Sequence, residues 1–308
     1  MGNFLKQALT LARVSNLPTV WTNCLAGWGI NAVALGHALA MPPSIGLQNA
    51  EPFSLLALLL GASLVYAGGC TLNDAFDEGF DRKYNPERPI PSRKVTSATA
   101  WILGMSELAA GSALLFLGAG CSALWITLLV CAILAYDFLH KRWAGSFLIM
   151  GSCRVLLWLT AATVGEAEDL APQTLAWALC LGAYVVGITL FARGESKKRE
   201  APRNFSIILL FFPPLLALAG LTYWHQLDPT RQALVNLSGL LAAWIAYRSI
   251  LHIKSKENGS LGKGVSLLLS GICATDAVAV AFYLPGLTGP CLLCVCLAQS
   301  LQKKFAAT

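Results

Sequence analysis

The stretch SLLALLLGASLVYAGGCTL, residues 54–72, decides the fold, because it contains no charged side chain and is long enough to cross a bilayer. A transmembrane α-helix needs about 20 mostly apolar residues at a rise of about 1.5 Å per residue. Residues 170–192 and 205–224 are also free of charge, and further candidate spans lie at residues 14–40, 95–117, 121–136, 146–165, 232–247 and 264–284. These runs predict an all-α polytopic membrane protein with about nine transmembrane helices.

The composition supports an integral membrane protein and excludes an ordinary soluble domain. The chain has 308 residues, of which 56% are hydrophobic and 12% charged, whereas a soluble domain carries about 25% charged residues. A membrane barrel would show segments of about ten residues that alternate between apolar and polar, and the runs here are continuous. No linker separates two parts of the chain, so we expect one transmembrane domain over residues 1–308.

The basic residues predict an orientation in the membrane. If the nine runs span, most of the 22 Lys and Arg residues fall in loops on the side of the N-terminus. The positive-inside rule then places the N-terminus in the cytoplasm of a multi-pass protein of the inner or plasma membrane. Topology accounts for the net charge of +6, so we expect the lipid bilayer, and no nucleic acid, as a partner. The short stretch 287–299 leaves the side of the C-terminus open.

One acidic segment follows directly on the first quoted run. Residues 72–92 read LNDAFDEGFDRKYNPERPIPS, and on a helix Asn73, Asp77 and Asp81 share one face, with Asp74 beside it. Carboxylates this close repel one another, and hard oxygen ligands select Mg²⁺, which binds through one or two carboxylates together with phosphates. The spacing predicts a site for a diphosphate and its metal, at the cytoplasmic edge. The alternative is a solvated acidic helix end that nearby basic residues neutralise.

This segment carries a specific resemblance to a known family. The pattern Asn-Asp-x-x-Asp-x-x-x-Asp, followed by Arg-Pro-Ile-Pro-Ser, resembles the first Asp-rich motif of the UbiA superfamily of intramembrane prenyltransferases. The resemblance implies a nine-helix bundle that uses Mg²⁺ to hold a prenyl diphosphate and transfers the prenyl group to an aromatic or other acceptor. It also implies that the metal and diphosphate are bound by Asn73, Asp74, Asp77 and Asp81.

Two further segments are similar to the same family. Arg13 and Asn16 open the first span as the family's Arg and Asn do, and Tyr136 with Lys141 and Arg142 resembles the Tyr and Lys-Arg found after its fourth span. Cations there would stabilise the departing diphosphate. The resemblance implies catalytic roles for Asp77, Asp81, Lys141 and Arg142, and substrate binding by Arg13, Asn16, Asn73, Arg88 and Tyr136. A basic residue just outside a span is also an ordinary topology anchor, so Arg13 and Lys141 keep that alternative.

Arg154 stands apart because it lies inside the apolar run 146–165. An ionisable residue at a helix centre costs about 2.5–3.5 kcal/mol on insertion scales and usually faces a cavity or a partner. We expect Arg154 to bind a diphosphate or carboxylate group, with a purely structural ion pair as the alternative. Asp276 and Glu107 also lie inside runs, without a role that the sequence identifies.

The family's second Asp-rich motif is missing. It should end the sixth span, where residues 187–200 read GITLFARGESKKRE and contain no Asp. Glu195 and Glu200 lie about 140° apart on a helix and cannot replace an Asp-x-x-x-Asp pair. Arg193 and Lys197 put positive charge there instead, and we predict that they bind the diphosphate directly. In this respect the chain resembles the EboC-like subgroup of the superfamily.

Together these features predict a Mg²⁺-dependent membrane prenyltransferase that acts on a prenyl diphosphate and a lipophilic acceptor. The missing motif keeps a second interpretation open, a non-catalytic prenyl-lipid binding protein or transporter on the same scaffold. A phospholipid phosphotransferase of the CDP-alcohol type also uses an Asp-rich span end, but its Asp and Gly spacing differs. Neither the prenyl chain length nor the acceptor follows from the sequence.

Overall fold

The apolar runs form long helices in a computed structural model, which describes residues 2–36, 52–165, 169–196, 203–223, 227–255 and 259–305. The α-helices are α1 (Gly2–Leu11), α2 (Leu17–Ala34), α3 (Pro52–Phe76), α4 (Glu78–Tyr84), α5 (Ser97–Ala113), α6 (Ala123–Leu139), α7 (Ser146–Ala162), α8 (Pro172–Ser196), α9 (Arg203–Tyr223), α10 (Pro229–Lys254), α11 (Ser260–Tyr283) and α12 (Thr288–Gln302). No strand occurs in these ranges, so the predicted all-α class is confirmed.

Local sequence explains where several helices begin. The Thr96 hydroxyl accepts a hydrogen bond from the Thr99 amide at the start of α5. The Asp228 carboxylate does the same for the Arg231 amide before α10, which starts with Pro229. Such side chains satisfy amide groups that have no partner inside the first helical turn, and Pro at the first position loses no hydrogen bond.

Among the residues that the structure describes, six helices are long and apolar enough to cross a membrane by length and composition: α3, α5 with its π-helical extension Leu114–Gly118, α8, α9, α10 and α11. Helices α6 and α7 are apolar but shorter, with 17 residues each. Helix α2 has 18 residues and is not among the six. The expected count of about nine spans is therefore not confirmed on these criteria.

Helix α11 lies at the centre of the bundle. Its residues 270–282 are buried without interruption, and it packs against α2, α8, α10 and α12. Helix α2 also packs against α7 and α3, so it joins the two main apolar clusters. This arrangement puts one face each of α3, α6, α7, α8 and α11 around a common interior space.

Glycines let α3 and α5 approach closely. Gly61 and Gly68 of α3 face Gly111 and Gly104 of α5, and a Cβ atom on Gly111 would lie 2.7 Å from the Gly61 carbonyl oxygen. Small residues are common at such membrane-helix interfaces, where backbone packing drives association.

We expect Gly111→Ala to reduce the free energy of unfolding by about 1–3 kcal/mol, because the added methyl group forces the two backbones apart. The measurement is a denaturant titration in detergent micelles. Gly262→Ala is the matched control, since nothing lies within 4 Å of a Cβ atom there. Equal stability of the two variants would contradict the close packing of α3 and α5.

Candidate active site

A cavity of about 360 Å³ lies among the helices and has two kinds of wall. One end is polar and is lined by Arg13, Asn16, Asn73, Asp77, Arg88, Tyr136, Asp137, His140 and Lys141. The rest is mainly apolar, with side chains such as Leu129, Ile133, Leu157, Ile188 and Ile272. The shape suits a molecule with a charged head and a hydrocarbon chain.

Two residues of the acidic segment, Asn73 and Asp77, line the polar end of this cavity. The backbone stays helical from α3 into α4, since the amides of Asp77 and Asp81 donate to the carbonyls of Asn73 and Asp77 at 3.0 and 2.8 Å. Asn73, Asp74, Asp77 and Asp81 are all buried, with 1–9% of their surface exposed. Buried carboxylates require cationic or hydrogen-bonding partners.

The Asp77 carboxylate contacts two basic residues, His140 and Lys141, that directly follow α6. Its Oδ2 atom lies 3.0 Å from His140 Nε2 and 3.3 Å from Lys141 Nζ. Burial alone would raise the pKa of the Asp77 carboxyl, but the hydrogen bond and charge of His140, together with Lys141, lower that pKa below its ordinary value. Asp77 is therefore ionised at neutral pH.

His140 faces acceptors on both sides of its ring. Its Nδ1 atom lies 3.0 Å from the Asp137 carbonyl oxygen and 3.2 Å from that of Tyr136, while Nε2 faces the Asp77 carboxylate. The imidazole ring is stacked on the Tyr136 ring with 5.1 Å between centroids.

Asp74 and Asp81 are joined through one guanidinium. Arg88 Nη1 lies 3.2 Å from Asp74 Oδ1 and 2.9 Å from Asp81 Oδ2. Asp81 also accepts from the Asn85 amide at 2.7 Å, so both of its oxygens are engaged. Asp81 does not line the cavity, whereas Arg88 does.

Arg13 reaches the same site from the chain entering α2. Its Nη2 atom lies 3.3 Å from Asp74 Oδ1 and 3.5 Å from Asn73 Oδ1. Its backbone is left-handed, with φ 45°, which costs a residue other than Gly roughly 1–2 kcal/mol. Such strain persists where the surroundings enforce it, and it is often found at functional sites.

Asp137 is a site residue that the sequence reasoning missed. Its Oδ1 accepts from the Asn73 amide at 3.0 Å, while Oδ2 is buried without a hydrogen-bond partner. The side chain is 5% exposed and lines the cavity. Asp137 is the one charged residue of the otherwise apolar α6, and this was the signal in the sequence that could have identified it as a site residue. His140 could have been identified in the same way, because it lies one helical turn after Tyr136.

The side chains of the adjacent residues Lys141 and Arg142 lie in different surroundings. Lys141 lies on the cavity, against Asp77 and 4.0 Å from the Phe80 ring centroid. Arg142 is exposed and lies over the Phe138 ring at 4.2 Å.

Asn16 is buried in the cavity wall, and its side-chain amide donates a hydrogen bond to the Tyr66 hydroxyl at 3.2 Å.

Arg154 lines the cavity away from the acidic segment and is 8% exposed. Its Nη1 donates to Asn23 Oδ1 at 2.8 Å and its Nη2 to Thr19 Oγ1 at 3.1 Å. Asn23 in turn donates to Asp276 Oδ2 at 2.7 Å.

Two predicted diphosphate ligands lie wholly or partly outside the described residues. Arg193 lies near the end of α8, but its side chain is not described, and the whole of Lys197 falls outside the described ranges.

The polar end offers oxygen ligands that suit Mg²⁺. His140 and Lys141 both contact Oδ2 of Asp77, which leaves Oδ1 for a metal. Arg13 and Arg88 both contact Oδ1 of Asp74, whose side chain lies beside Asn73 but does not line the cavity. Within the described ranges, no three His, Cys, Asp or Glu side chains converge to hold a metal by themselves. Because Mg²⁺ often binds through one or two carboxylates plus phosphates, the residues fit one ion that shares a bound diphosphate.

Comparisons with known proteins bear on the family and on the fold. The sequence model of the UbiA prenyltransferase family matches residues 30–261. The fold is similar to a UbiA homolog from Aeropyrum pernix K1, with a TM-score of 0.61 and 16% identity over 87% of this chain and 96% of that one. A UbiA homolog from Archaeoglobus fulgidus bound to GPP and Mg²⁺ gives a TM-score of 0.56 and 16% identity over 89% and 99%.

Curated relatives match over shorter segments. Digeranylgeranylglyceryl phosphate synthase of Metallosphaera sedula is 39% identical over 61 residues, which are 20% of this chain and 22% of the relative. Protoheme IX farnesyltransferase of Sodalis glossinidius is 37% identical over 95 residues, which are 28% and 31% of the two chains. The matched part thus spans less than a third of the length of these relatives.

Proposed function

Since this chain belongs to the UbiA prenyltransferase family, we propose that it transfers a prenyl group from a prenyl diphosphate to an aromatic or other small lipophilic acceptor, with Mg²⁺. One observation carries the proposal: a single cavity joins a polar end rich in cations and carboxylates to apolar walls. The GPP and Mg²⁺ named for the Archaeoglobus fulgidus homolog support the same pair of ligands here.

The polar residues divide into two groups in this proposal. Asn73, Asp74 and Asp77 hold the metal, which would neutralise part of the diphosphate charge. Arg13, Arg88, His140 and Lys141 bind the diphosphate oxygens, with Asn16 and Tyr136 beside them in the wall. As the bond between prenyl carbon and diphosphate oxygen breaks, its electron pair leaves with the diphosphate, and these fixed cations stabilise the growing charge. The acceptor then attacks the allylic cation and releases a proton.

Asp81 and Arg142 were both expected to be catalytic, but neither side chain lines the cavity. Asp81 acts through Arg88, because both of its oxygens are engaged away from the cavity. Arg142 contacts the exposed Phe138 ring and does not line the cavity, so of these two adjacent basic residues Lys141 is the one that acts on the diphosphate. Arg193 and Lys197 remain proposed diphosphate ligands at the site of the missing Asp pair, and Arg154 remains a proposed substrate-binding residue.

We also propose a topology for the single domain of residues 1–308. The helices α2, α3 and α5–α11 together form nine spans, of which α6 and α7 are the shortest with 17 residues each. The N-terminus and the acidic segment lie on the cytoplasmic side of an inner or plasma membrane, following the positive-inside rule.

A non-catalytic prenyl-lipid binding protein or transporter is the second candidate. Residues 187–200 lack the Asp pair of the family's second motif, and this observation favours it. The same cavity would then hold the prenyl lipid without cleaving it.

Pyrophosphate release separates the two functions. Purified protein in nanodiscs is incubated with geranyl, farnesyl, geranylgeranyl or phytyl diphosphate, a membrane-lipid extract as acceptor source, and either Mg²⁺ or a chelator. We expect release with at least one diphosphate that requires Mg²⁺. Saturable binding without release, from a protein that remains folded, would instead support the non-catalytic candidate.

A further inference from the structure

Asp137 brings a second carboxylate to the cavity wall, from α6. In the described part of the chain, Asp77 and Asp137 are the acidic residues that line the cavity. Helix α8 forms another part of the wall, and its described residues there are all uncharged: Val185, Ile188, Thr189 and Ala192. Among these residues, a carboxylate ligand for a metal in the cavity can therefore come from the end of α3 or from α6.

Two residues at the end of α3 face two residues at the end of α6. Asn73 Nδ2 donates to Asp137 Oδ1 at 3.0 Å, and Asp77 Oδ2 lies 3.0 Å from His140 Nε2. Asn73 and Asp77 are four residues apart, and Asp137 and His140 are three apart, so each pair lies on one helix face. The carboxylates of Asp77 and Asp137 therefore lie on opposite sides of the same gap, about one helical turn apart.

Asp137 is held so that one of its oxygens is engaged and the other is not. Arg13 Nη2 lies 3.5 Å from Asn73 Oδ1, and since a guanidinium only donates, the Asn73 amide nitrogen must face Asp137. Oδ1 of Asp137 then accepts, while its Oδ2 is buried without a hydrogen-bond partner among the described residues. A carboxylate that is 5% exposed needs a cation or a hydrogen bond at such an oxygen.

We propose that Asp137 is a ligand of the same Mg²⁺ that Asp77 binds, so that α6 supplies a carboxylate where residues 187–200 lack the Asp pair. This inference rests on the proposed function, since it completes the metal site of that cavity. Asp77 offers Oδ1 and Asp137 offers Oδ2, and a bound diphosphate supplies further oxygens. Two carboxylates together with phosphate oxygens are a ligand set that Mg²⁺ favours. A shared cation also offsets the repulsion between two like charges in a buried place.

A substrate analogue that cannot be cleaved tests the metal ligand apart from turnover. Geranyl phosphonophosphate has a methylene group in place of the bridging oxygen, so it keeps the charged head but has no leaving group. It is titrated by calorimetry into purified protein in neutral detergent, once with Mg²⁺ and once with a chelator. The ratio of the two dissociation constants measures the coupling between metal and diphosphate. The same concentrations are used for every variant, so association of Mg²⁺ with the analogue in solution contributes equally.

We expect Mg²⁺ to tighten binding to wild type at least about tenfold, and this enhancement to be at least about fivefold smaller in Asp137→Asn. With the chelator, Asp137→Asn should bind the analogue at least as tightly as wild type, because a negative charge near the diphosphate has been removed. A merely structural role for Asp137 would instead weaken binding under both conditions. The sign of the change with the chelator thus distinguishes a metal ligand from a packing residue.

Two further variants serve as controls. Asp137→Glu keeps a carboxylate, so it should retain more of the Mg²⁺ enhancement than Asp137→Asn. Glu107→Gln alters an acidic residue of α5 that accepts from Thr71 and lies outside the cavity wall, so it should retain all of it. Thermal unfolding checks that each variant is folded, and Asp137→Ser takes the place of Asp137→Asn if that variant does not fold.

The outcomes separate this site from the transferase function. An undiminished Mg²⁺ enhancement in Asp137→Asn, or an equal loss of affinity with Mg²⁺ and with the chelator, overturns the proposal. Absence of the enhancement in wild type overturns it together with the Mg²⁺ site of the proposed function. An enhancement that depends on Asp137, in a protein that releases no pyrophosphate from prenyl diphosphates, supports this metal ligand and the non-catalytic candidate.

Discussion

Asp77→Asn is expected to lower Mg²⁺-dependent pyrophosphate release by at least about 100-fold, the scale of losing one electrostatic group in a catalytic site. Asp77 is the carboxylate on the cavity that contacts His140 and Lys141 through one oxygen and leaves the other for a metal. An amide keeps the shape but removes the charge that holds Mg²⁺, His140 and Lys141 together. Initial rates over a range of Mg²⁺ concentrations measure the effect.

Glu78→Gln is the matched control, because Glu78 is the next residue and pairs only with the exposed Arg82 at the helix surface. We expect its rate to stay within about twofold of wild type, since an exposed ion pair contributes little. Thermal unfolding in the same detergent checks that both variants are folded. Full activity of folded Asp77→Asn would remove Asp77 from the metal site and leave the cations as the main diphosphate ligands.

The acidic face was predictable because helix periodicity is local. Asn73, Asp77 and Asp81 are four residues apart, and a helix puts such residues on one side whatever surrounds it. Their partners were not predictable in the same way. The contact between His140 and Asp77 joins residues 63 positions apart and depends on how α6 packs against α3.

The sequence also could not show which of two adjacent basic residues faces the cavity. Lys141 and Arg142 match the family pattern together, but successive residues point in different directions, and only Lys141 faces the cavity.

Helix α2 is not recognised as a span because polar residues lower its mean hydropathy. Thr22, Asn23 and Asn31 of this helix lie inside the bundle. There they form hydrogen bonds with Asp276 and with other backbone and side-chain groups.

Arg88→Gln is expected to destabilise the protein by about 3 kcal/mol, because it leaves Asp81 charged, 1% exposed and without a cation. Removing one partner of a buried ion pair costs about 3–5 kcal/mol, and the 28% exposure of Arg88 favours the lower end. Denaturant titration measures the loss. Arg82→Gln, at an exposed i,i+4 pair, is the control and should cost no more than about 0.5 kcal/mol.

The double variant Arg88→Gln/Asp81→Asn separates stability from diphosphate binding. With both charges gone, the Arg88 substitution no longer leaves Asp81 as a buried charge without a cation, and Asp74 keeps Arg13, so we expect most of the lost stability to return. Activity should not return with it, because Arg88, and not Asp81, lies on the cavity wall and the diphosphate would still lack this cation. Recovery of pyrophosphate release along with stability would mean that Arg88 only neutralises Asp81, and that Arg13, His140 and Lys141 suffice to hold the departing group.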